Sequence, residues 1–194
     1  MTAKSLAGTR RLALCAVMAA VICVLAPISL PIGPISLTGG TLAIYLTACL
    51  LGGGWGAAAT LTYLLLGFVG LPVFSNYMGG AERLAGPTGG YLVGYLPMVF
   101  IAGAVVTLTL ARFRDGGRRG AAIALVLQFL GMALGTAVLY AFGTAWYCVQ
   151  AGVDLQKALA ACVFPFIPFD LVKMAAALLV GVPVRRQLER ARLL

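Results

Sequence analysis

Long apolar runs separated by short polar segments extend along the whole chain, and this pattern is typical of a membrane protein. Most of the runs have the length that a bilayer core requires and carry no polar stripe, which a helix on a soluble core would show. The runs predict helical spans at residues 12–29, 41–51, 56–69, 89–110, 121–147, and from after Leu155 to about Val182. We therefore expect an all-α integral membrane protein, with residues 1–194 forming one transmembrane domain.

The second and third spans are short, and only the triplet Gly52-Gly53-Gly54 separates them. At a rise of about 1.5 Å per residue, residues 41–51 extend less than about 20 Å, whereas the apolar core of a bilayer is about 30 Å thick. Two interpretations follow. If both segments cross the membrane, the chain forms a six-transmembrane-helix bundle; if they form a re-entrant pair, four helices cross.

The charged residues are few and unevenly placed, which indicates an orientation. Charged residues make up 10% of the 194, hydrophobic residues 62%, and the formal net charge is +9. Most basic residues form three clusters next to the spans: Lys4, Arg10 and Arg11; Arg112, Arg114, Arg118 and Arg119; Arg185, Arg186, Arg190 and Arg192. Because basic residues accumulate on the cytoplasmic side, both termini are predicted to be cytoplasmic. Positive charge placed in this way indicates topology rather than nucleic-acid binding.

The N-terminal apolar run also has the features of a secretory signal peptide. No soluble segment follows it for export, so we interpret it as the first membrane span. The chain has no His and its five Cys show no CxxC spacing. Zinc, haem and His-dependent acid–base chemistry are therefore not expected, and we predict no metal, no cofactor and no catalytic residue.

The clearest candidate for chemistry is the segment PFIPFDLVK at residues 165–173. Prolines remove backbone donors and exclude the preceding residue from the helical region, so a helix should break near residues 164–167 and restart after Pro168. Asp170 and Lys173 then lie three residues apart on one face of the restarted helix. Ionisable groups at membrane depth are costly, which favours a ligand-binding role. The alternative is that Asp170 only caps the helix and pairs with Lys173.

The segment GLPVFSNYMGGAERLAGPTGGY, residues 70–91, combines glycines and prolines with apolar and aromatic residues. We expect it to fold on the outer face as a lid over a ligand pocket, with Asn76 contributing a polar contact and Glu82 and Arg83 pairing or facing water. The alternative is a plain surface loop. Trp146 and Tyr147, at the outer end of the fifth span, are further candidates, although aromatic belts occur there without any ligand.

Several of these motifs resemble the BioY family, the biotin-binding S-components of energy-coupling factor (ECF) transporters. The similar residues are GLPVF at 70–74, GPTGGY at 86–91 and the Pro-x-Asp-x-x-Lys pattern at 168–173. The resemblance implies a six-helix bundle in the bacterial plasma membrane, with an extracellular-side pocket for biotin. It also implies docking on a transmembrane T-component with two ABC ATPases, through a small-residue pair at Ala16 and Ala20. From spacing alone, ordinary close helix packing is the favoured interpretation of that pair.

The sequence also departs from the family pattern in two places. Thr38 is followed by Gly39 and Gly40, where the family commonly has a Gln in the first outer loop, and the segment SNYMGGAER is less typical than its flanks. These departures affect the expected contacts of the first loop and of the lid.

Biotin, as the implied ligand, fits the candidate residues. Asp170 would accept from a ureido N–H, Lys173 would donate to the ureido oxygen or the carboxylate, and Asn76 would do both. Tyr91 and Trp146 would wall the rings, with Tyr147 beside them. Two alternatives stay open: an S-component for another vitamin, or a membrane enzyme acting on lipid head groups, which the scattered acidic residues disfavour. The chain has no Walker A motif, so we do not expect it to hydrolyse ATP.

Overall fold

The computed structural model describes residues 3–32, 35–113, 116–191 and 193, and is almost entirely helical in this part. Arg114 and Arg192, which belong to the predicted basic clusters, lie outside the described residues. In chain order the elements are α1 (Ala3–Leu25), β1 (Ser29–Ile32), β2 (Ile35–Thr38), α2 (Gly40–Phe68), a 3₁₀ turn (Ser75–Tyr77), α3 (Ala81–Ala85), α4 (Gly89–Arg112), α5 (Gly117–Ala151), α6 (Leu155–Cys162) and α7 (Ile167–Arg190).

Five of the described helices, α1, α2, α4, α5 and α7, are long and apolar enough to cross a membrane. This agrees with the predicted all-α membrane bundle, because in lipid a helix satisfies its backbone polar groups internally. Helix α4 begins at Gly89, as the sequence predicts, whereas α5 extends several residues beyond both predicted ends. The first span ends at Leu25 rather than at residue 29, because the chain leaves the helix after Leu25 and enters β1 at Ser29.

Helix α2 folds back on itself at Gly52, inside the predicted glycine break. Gly52 has φ 76° and ψ −169°, a conformation that is essentially restricted to glycine. Thr41 and Tyr63 line the same pocket, although they would be about 33 Å apart in a straight helix. A Cβ atom on Gly103 of α4 would collide with the backbone of Gly52 and Gly53. The first half of α2 (residues 40–51) and its second half (residues 53–68) therefore run in opposite directions alongside α4.

The centre of the bundle is α4, which packs closely against both halves of α2 and against α5. On α5, Gly131 and Gly135 allow the close approach: a Cβ atom on Gly131 would lie 2.6 Å from Val105, and one on Gly135 would lie 2.8 Å from the Met98 carbonyl oxygen. These glycines act in ordinary close packing of helices.

The chain breaks before α7 where the prolines predict it. Helix α6 ends at Cys162 and α7 begins at Ile167, one residue before Pro168 rather than after it. Proline is tolerated in the first turn, where its missing N–H has no helical partner in any case. Helix α7 runs on through Pro183 to Arg190, beyond the predicted end near Val182. The break places Asp170 in the first turn of α7.

A β-hairpin joins α1 to α2, and the sequence pattern did not predict it. Its strands pair antiparallel, with Ser29 opposite Thr38. Next to it lies the 69–88 loop, which contains the 3₁₀ turn and α3. Phe74 of this loop is buried and packs edge-on against Tyr63, with ring centroids 5.6 Å apart. The hairpin and this loop lie at the same end of the bundle, which we call the pocket end; Gly52 lies at the opposite end.

Candidate ligand pocket

A pocket lies at the pocket end of the bundle, beneath the hairpin and the 69–88 loop. It contains about 750 Å³ of empty space, its open mouth included. Its walls are mainly apolar and aromatic, with the rings of Tyr63, Phe74, Tyr91, Tyr95, Tyr140 and Phe166. Among the described residues, three charged side chains line it: Asp170, Lys173 and Arg83. This composition suits a largely apolar ligand with a few polar groups.

Asp170 is the most strongly bonded polar group of the pocket. Thr41 donates to its Oδ1 at 3.1 Å, Tyr140 donates to its Oδ2 at 2.7 Å, and Lys173 Nζ lies 3.4 Å from Oδ1. The Asp170 side chain is only 4% exposed. A carboxylate offers about four acceptor positions, so three protein donors leave about one free for a ligand. These contacts join α7 to α2 and α5. They therefore extend beyond the alternative that the sequence left open, in which Asp170 only caps its own helix and pairs with Lys173.

Lys173 directs all three of its donors towards protein groups. Its Nζ donates to the Thr38 carbonyl oxygen at 2.8 Å, to Thr41 Oγ1 at 2.7 Å and to Asp170 Oδ1 at 3.4 Å. An ammonium group has three N–H donors, and all are in use here. A ligand that accepts from Lys173 must therefore replace one of these partners. The contact with Thr38 also ties the end of β2 to α7.

Tyr91 forms part of the aromatic wall and joins three helices. Its hydroxyl is 3.0 Å from Thr144 Oγ1 on α5 and 3.5 Å from the carbonyl oxygen of Cys162 at the end of α6. Cys162 also lines the pocket, and burial raises the pKa of its thiol to about 11. At neutral pH this thiol is therefore protonated and forms a neutral part of the wall.

The other three predicted ligand contacts, Asn76, Trp146 and Tyr147, are not among the described lining residues of the pocket. Asn76 bonds to the hairpin: Ser29 Oγ donates to Asn76 Oδ1 at 2.8 Å, and Asn76 Nδ2 donates to Ser36 Oγ at 3.3 Å. Trp146 Nε1 donates to the Gly86 carbonyl oxygen at 2.9 Å, and Tyr147 is half-buried on the same helix. In this structure Asn76 and Trp146 hold the 69–88 loop in place, and ligand contact by these three residues stays a prediction.

Several lining residues were not predicted from the sequence. Arg83 was expected to pair with Glu82 or to face water; it is instead half-buried in the pocket lining, and no ion pair within the described residues involves it. The sequence feature that could have indicated this position is that Arg83 is the one basic residue of the predicted lid. Thr41 gave no comparable signal, because hydroxyl groups are common in membrane helices.

The predicted partner-binding residues Ala16 and Ala20 are both exposed, one turn apart on the same face of α1. They leave a small-residue surface that no other described helix covers. A close helix–helix contact with another chain is physically possible on such a surface.

The fold and the pocket define a multi-pass membrane protein with a pocket between the ends of its helices. The chain matches the BioY family model over residues 1–190, and it therefore belongs to the BioY family. It is 36% identical over 178 residues to the biotin transporter BioY of Thermotoga maritima, covering 91% of this chain and 96% of the relative. It is also 36% identical over 177 residues to the biotin transporter BioY of Rhizobium etli, covering 90% and 92%.

A solved structure has the same architecture. The S-component for biotin from an ECF-type ABC transporter matches with a TM-score of 0.79 and 27% sequence identity, over 96% of this chain and 95% of that one. The family that the motifs at residues 70–74, 86–91 and 168–173 predicted is thereby confirmed, and its named members are transporters.

Proposed function

We propose that this chain is the biotin-binding membrane subunit of an ECF-type transporter and that it binds biotin in the pocket described above. The observation that carries the proposal is the buried Asp170–Lys173 pair in the wall of a mainly apolar and aromatic pocket. Membership of the BioY family and the likeness to a biotin S-component support it. The chain itself binds the vitamin and performs no chemical reaction on it.

The polar groups of the pocket match the two ends of biotin. A ureido N–H donates to the free acceptor position of Asp170, and the ureido oxygen replaces one of the present partners of Lys173. The guanidinium of Arg83 pairs with the carboxylate of the valerate tail, since Arg83 is the one cation among the described lining residues that is not already bonded to Asp170. The rings of Tyr91 and Phe166 pack against the apolar ring system and tail. Charge-assisted bonds at both ends would fix the orientation of the ligand.

We place the pocket on the outer side of the plasma membrane and both termini in the cytoplasm. Arg112 ends α4, and Arg118 and Arg119 lie in the first turn of α5, at the end of the bundle opposite to the pocket. Basic residues favour the cytoplasmic side. In this arrangement the two halves of α2 are two short crossings, which gives six membrane segments. The hairpin and the 69–88 loop would then cover the pocket from outside.

The direct test of the function is the binding of labelled biotin to the purified protein in detergent or nanodiscs. We expect saturable binding at one site per chain, competed by unlabelled biotin but not by riboflavin or thiamin. Competition by either of those vitamins would indicate a different S-component specificity. The absence of any biotin binding to well-folded protein would refute the proposal.

We further propose that Ala16 and Ala20 form the contact with a transmembrane T-component, which carries two ABC ATPases. Replacing both by Trp fills the small-residue surface, and we expect the double variant to lose co-purification with the T-component while binding biotin normally. The control is the double variant Ala175→Trp, Ala176→Trp, which adds the same bulk to two exposed positions on α7. Normal assembly of the Ala16→Trp, Ala20→Trp variant would show that the T-component binds elsewhere.

A further inference from the structure

Arg185 lies on α7 at the end of the bundle opposite to the pocket, and its side chain is only 11% exposed. Its Nε donates to Glu189 Oε1 at 2.9 Å. Its Nη1 reaches α2 and α4, where it donates to the Cys49 carbonyl oxygen at 3.2 Å and to Thr107 Oγ1 at 3.4 Å. Arg185 thus bonds to residues of three helices, so it contributes to their packing as well as to the positive charge that indicates the membrane orientation.

The Cys49 carbonyl differs from the carbonyls in the middle of α2, because it lies just before the break of this helix at Gly52. In an uninterrupted helix it would accept from the N–H of Gly53, and the carbonyls at the end of a helical segment lack such a donor. A cation is also favoured at the C-terminal end of a helix. Arg185 therefore caps the first half of α2.

Helix α7 holds the first half of α2 at both of its ends. At the pocket end, Lys173 and Asp170 bond to Thr41. At the other end, α7 meets Cys49: a Cβ atom on Gly181 would lie 2.6 Å from the Cys49 Cβ, and Arg185 bonds to the Cys49 carbonyl. Thr41 and Cys49 are joined by about 12 Å of helix, which moves as one rigid rod. A displacement at Cys49 therefore tilts Thr41 relative to α7.

We propose that Arg185 is a positioning residue for the biotin pocket: it fixes the Cys49 end of the first half of α2 and thereby holds Thr41 against Asp170 and Lys173. This inference rests on the proposed function, since it concerns the affinity of the same pocket. Arg185 itself lies at the opposite end of the bundle and touches no pocket residue. Its effect on binding is transmitted through the helix that carries Thr41.

The test compares the affinity for labelled biotin of Arg185→Gln with that of wild type. We expect Arg185→Gln to raise the dissociation constant by roughly threefold to thirtyfold, the size of coupling transmitted through packed elements. The matched control is Arg186→Gln, which removes the same charge from the adjacent, exposed residue and should leave the affinity unchanged. Arg185→Lys keeps a cation but loses the planar guanidinium that bonds to Glu189 and Cys49 through different nitrogens, so we expect an intermediate affinity.

A double-mutant cycle with Thr41→Val separates positioning from a general loss of structure. If Arg185 acts through Thr41, Arg185→Gln should change the dissociation constant by less than about twofold once Thr41 is replaced, because non-additivity identifies coupled residues. An equal loss in both backgrounds, or an unchanged affinity in Arg185→Gln, would overturn the inference. If Arg185→Gln does not fold, the same cycle with Arg185→Lys decides the question. A wild-type protein without biotin binding would instead refute the proposed function.

Discussion

Asp170→Asn is expected to weaken biotin binding by about 1.5–3 kcal/mol, or roughly tenfold to 150-fold, the value of a hydrogen bond to a charged group. Asp170 accepts from Thr41, Tyr140 and Lys173 with its two oxygens. An asparagine has one acceptor oxygen, and its amide group would face one of these donors. The substitution also removes the carboxylate partner of Lys173, whose side chain is only 16% exposed. Both effects disturb the Asp170 side chain, which we propose as the acceptor for a ureido N–H of biotin.

The measurement is the equilibrium binding of labelled biotin, with thermal stability recorded for the same preparations. The matched control is Asp154→Asn, because Asp154 is 83% exposed and pairs only with the exposed Lys157 in the ion pairs of the described residues. The control should bind like wild type. If Asp170→Asn were well folded and had unchanged affinity, Asp170 would have a structural role and the ligand assignment would be wrong.

Gly52→Ala is expected to destabilise the bundle strongly. Any residue with a side chain is strained at φ 76° and ψ −169°, at a cost of about 1–3 kcal/mol. The added Cβ would also lie 2.5 Å from Thr107 Oγ1, which already donates to the Gly103 carbonyl oxygen. Because the fold-back at Gly52 brings Thr41 and Tyr63 to the same pocket, the substitution should lower both stability and biotin affinity.

The matched control for this prediction is Gly54→Ala, two residues further along α2. Gly54 is exposed, and a Cβ atom there meets no atom within 4 Å. Alanine also has a higher helix propensity than glycine, so the control should be neutral or slightly stabilising. The comparison is made by thermal unfolding in detergent. Equal midpoints for the two variants would contradict the requirement for glycine at the fold-back.

The sequence predicted those parts of the fold that depend on local chemistry. Apolar runs indicate membrane helices wherever they occur, and prolines interrupt helices at their own positions, so the helical regions and the break before α7 follow from the residues themselves. The spacing of Asp170 and Lys173 places them on one helical face, and their 3.4 Å approach agrees with this expectation. Helix ends were less well predicted, because they depend on how the chain continues into the hairpin or past Pro183.

The site was predicted only in part, because several of its residues meet through tertiary contacts. Asp170 and Thr41 are 129 residues apart in the chain, and nothing in the local pattern pairs them. Asn76 and Trp146 were chosen for chemistry that suits a ligand, yet their polar groups bond to the hairpin and to Gly86. Arg83 was expected to be paired or solvated, and it lies in the pocket lining because α3, which carries it, packs against α2 and α4.

By itself the sequence determined that this chain is a membrane bundle of the BioY family with a charged pair in its last long helix. Hydropathy, helix breakers and short motifs are local properties, so they can be recognised in the sequence without knowing which residues are in contact in the fold. Only the tertiary structure decided how α2 reverses at Gly52, which residues surround Asp170, and that Arg185 reaches across to α2. These features depend on contacts between residues far apart in the chain, and such contacts form only when α2, α4 and α7 pack together.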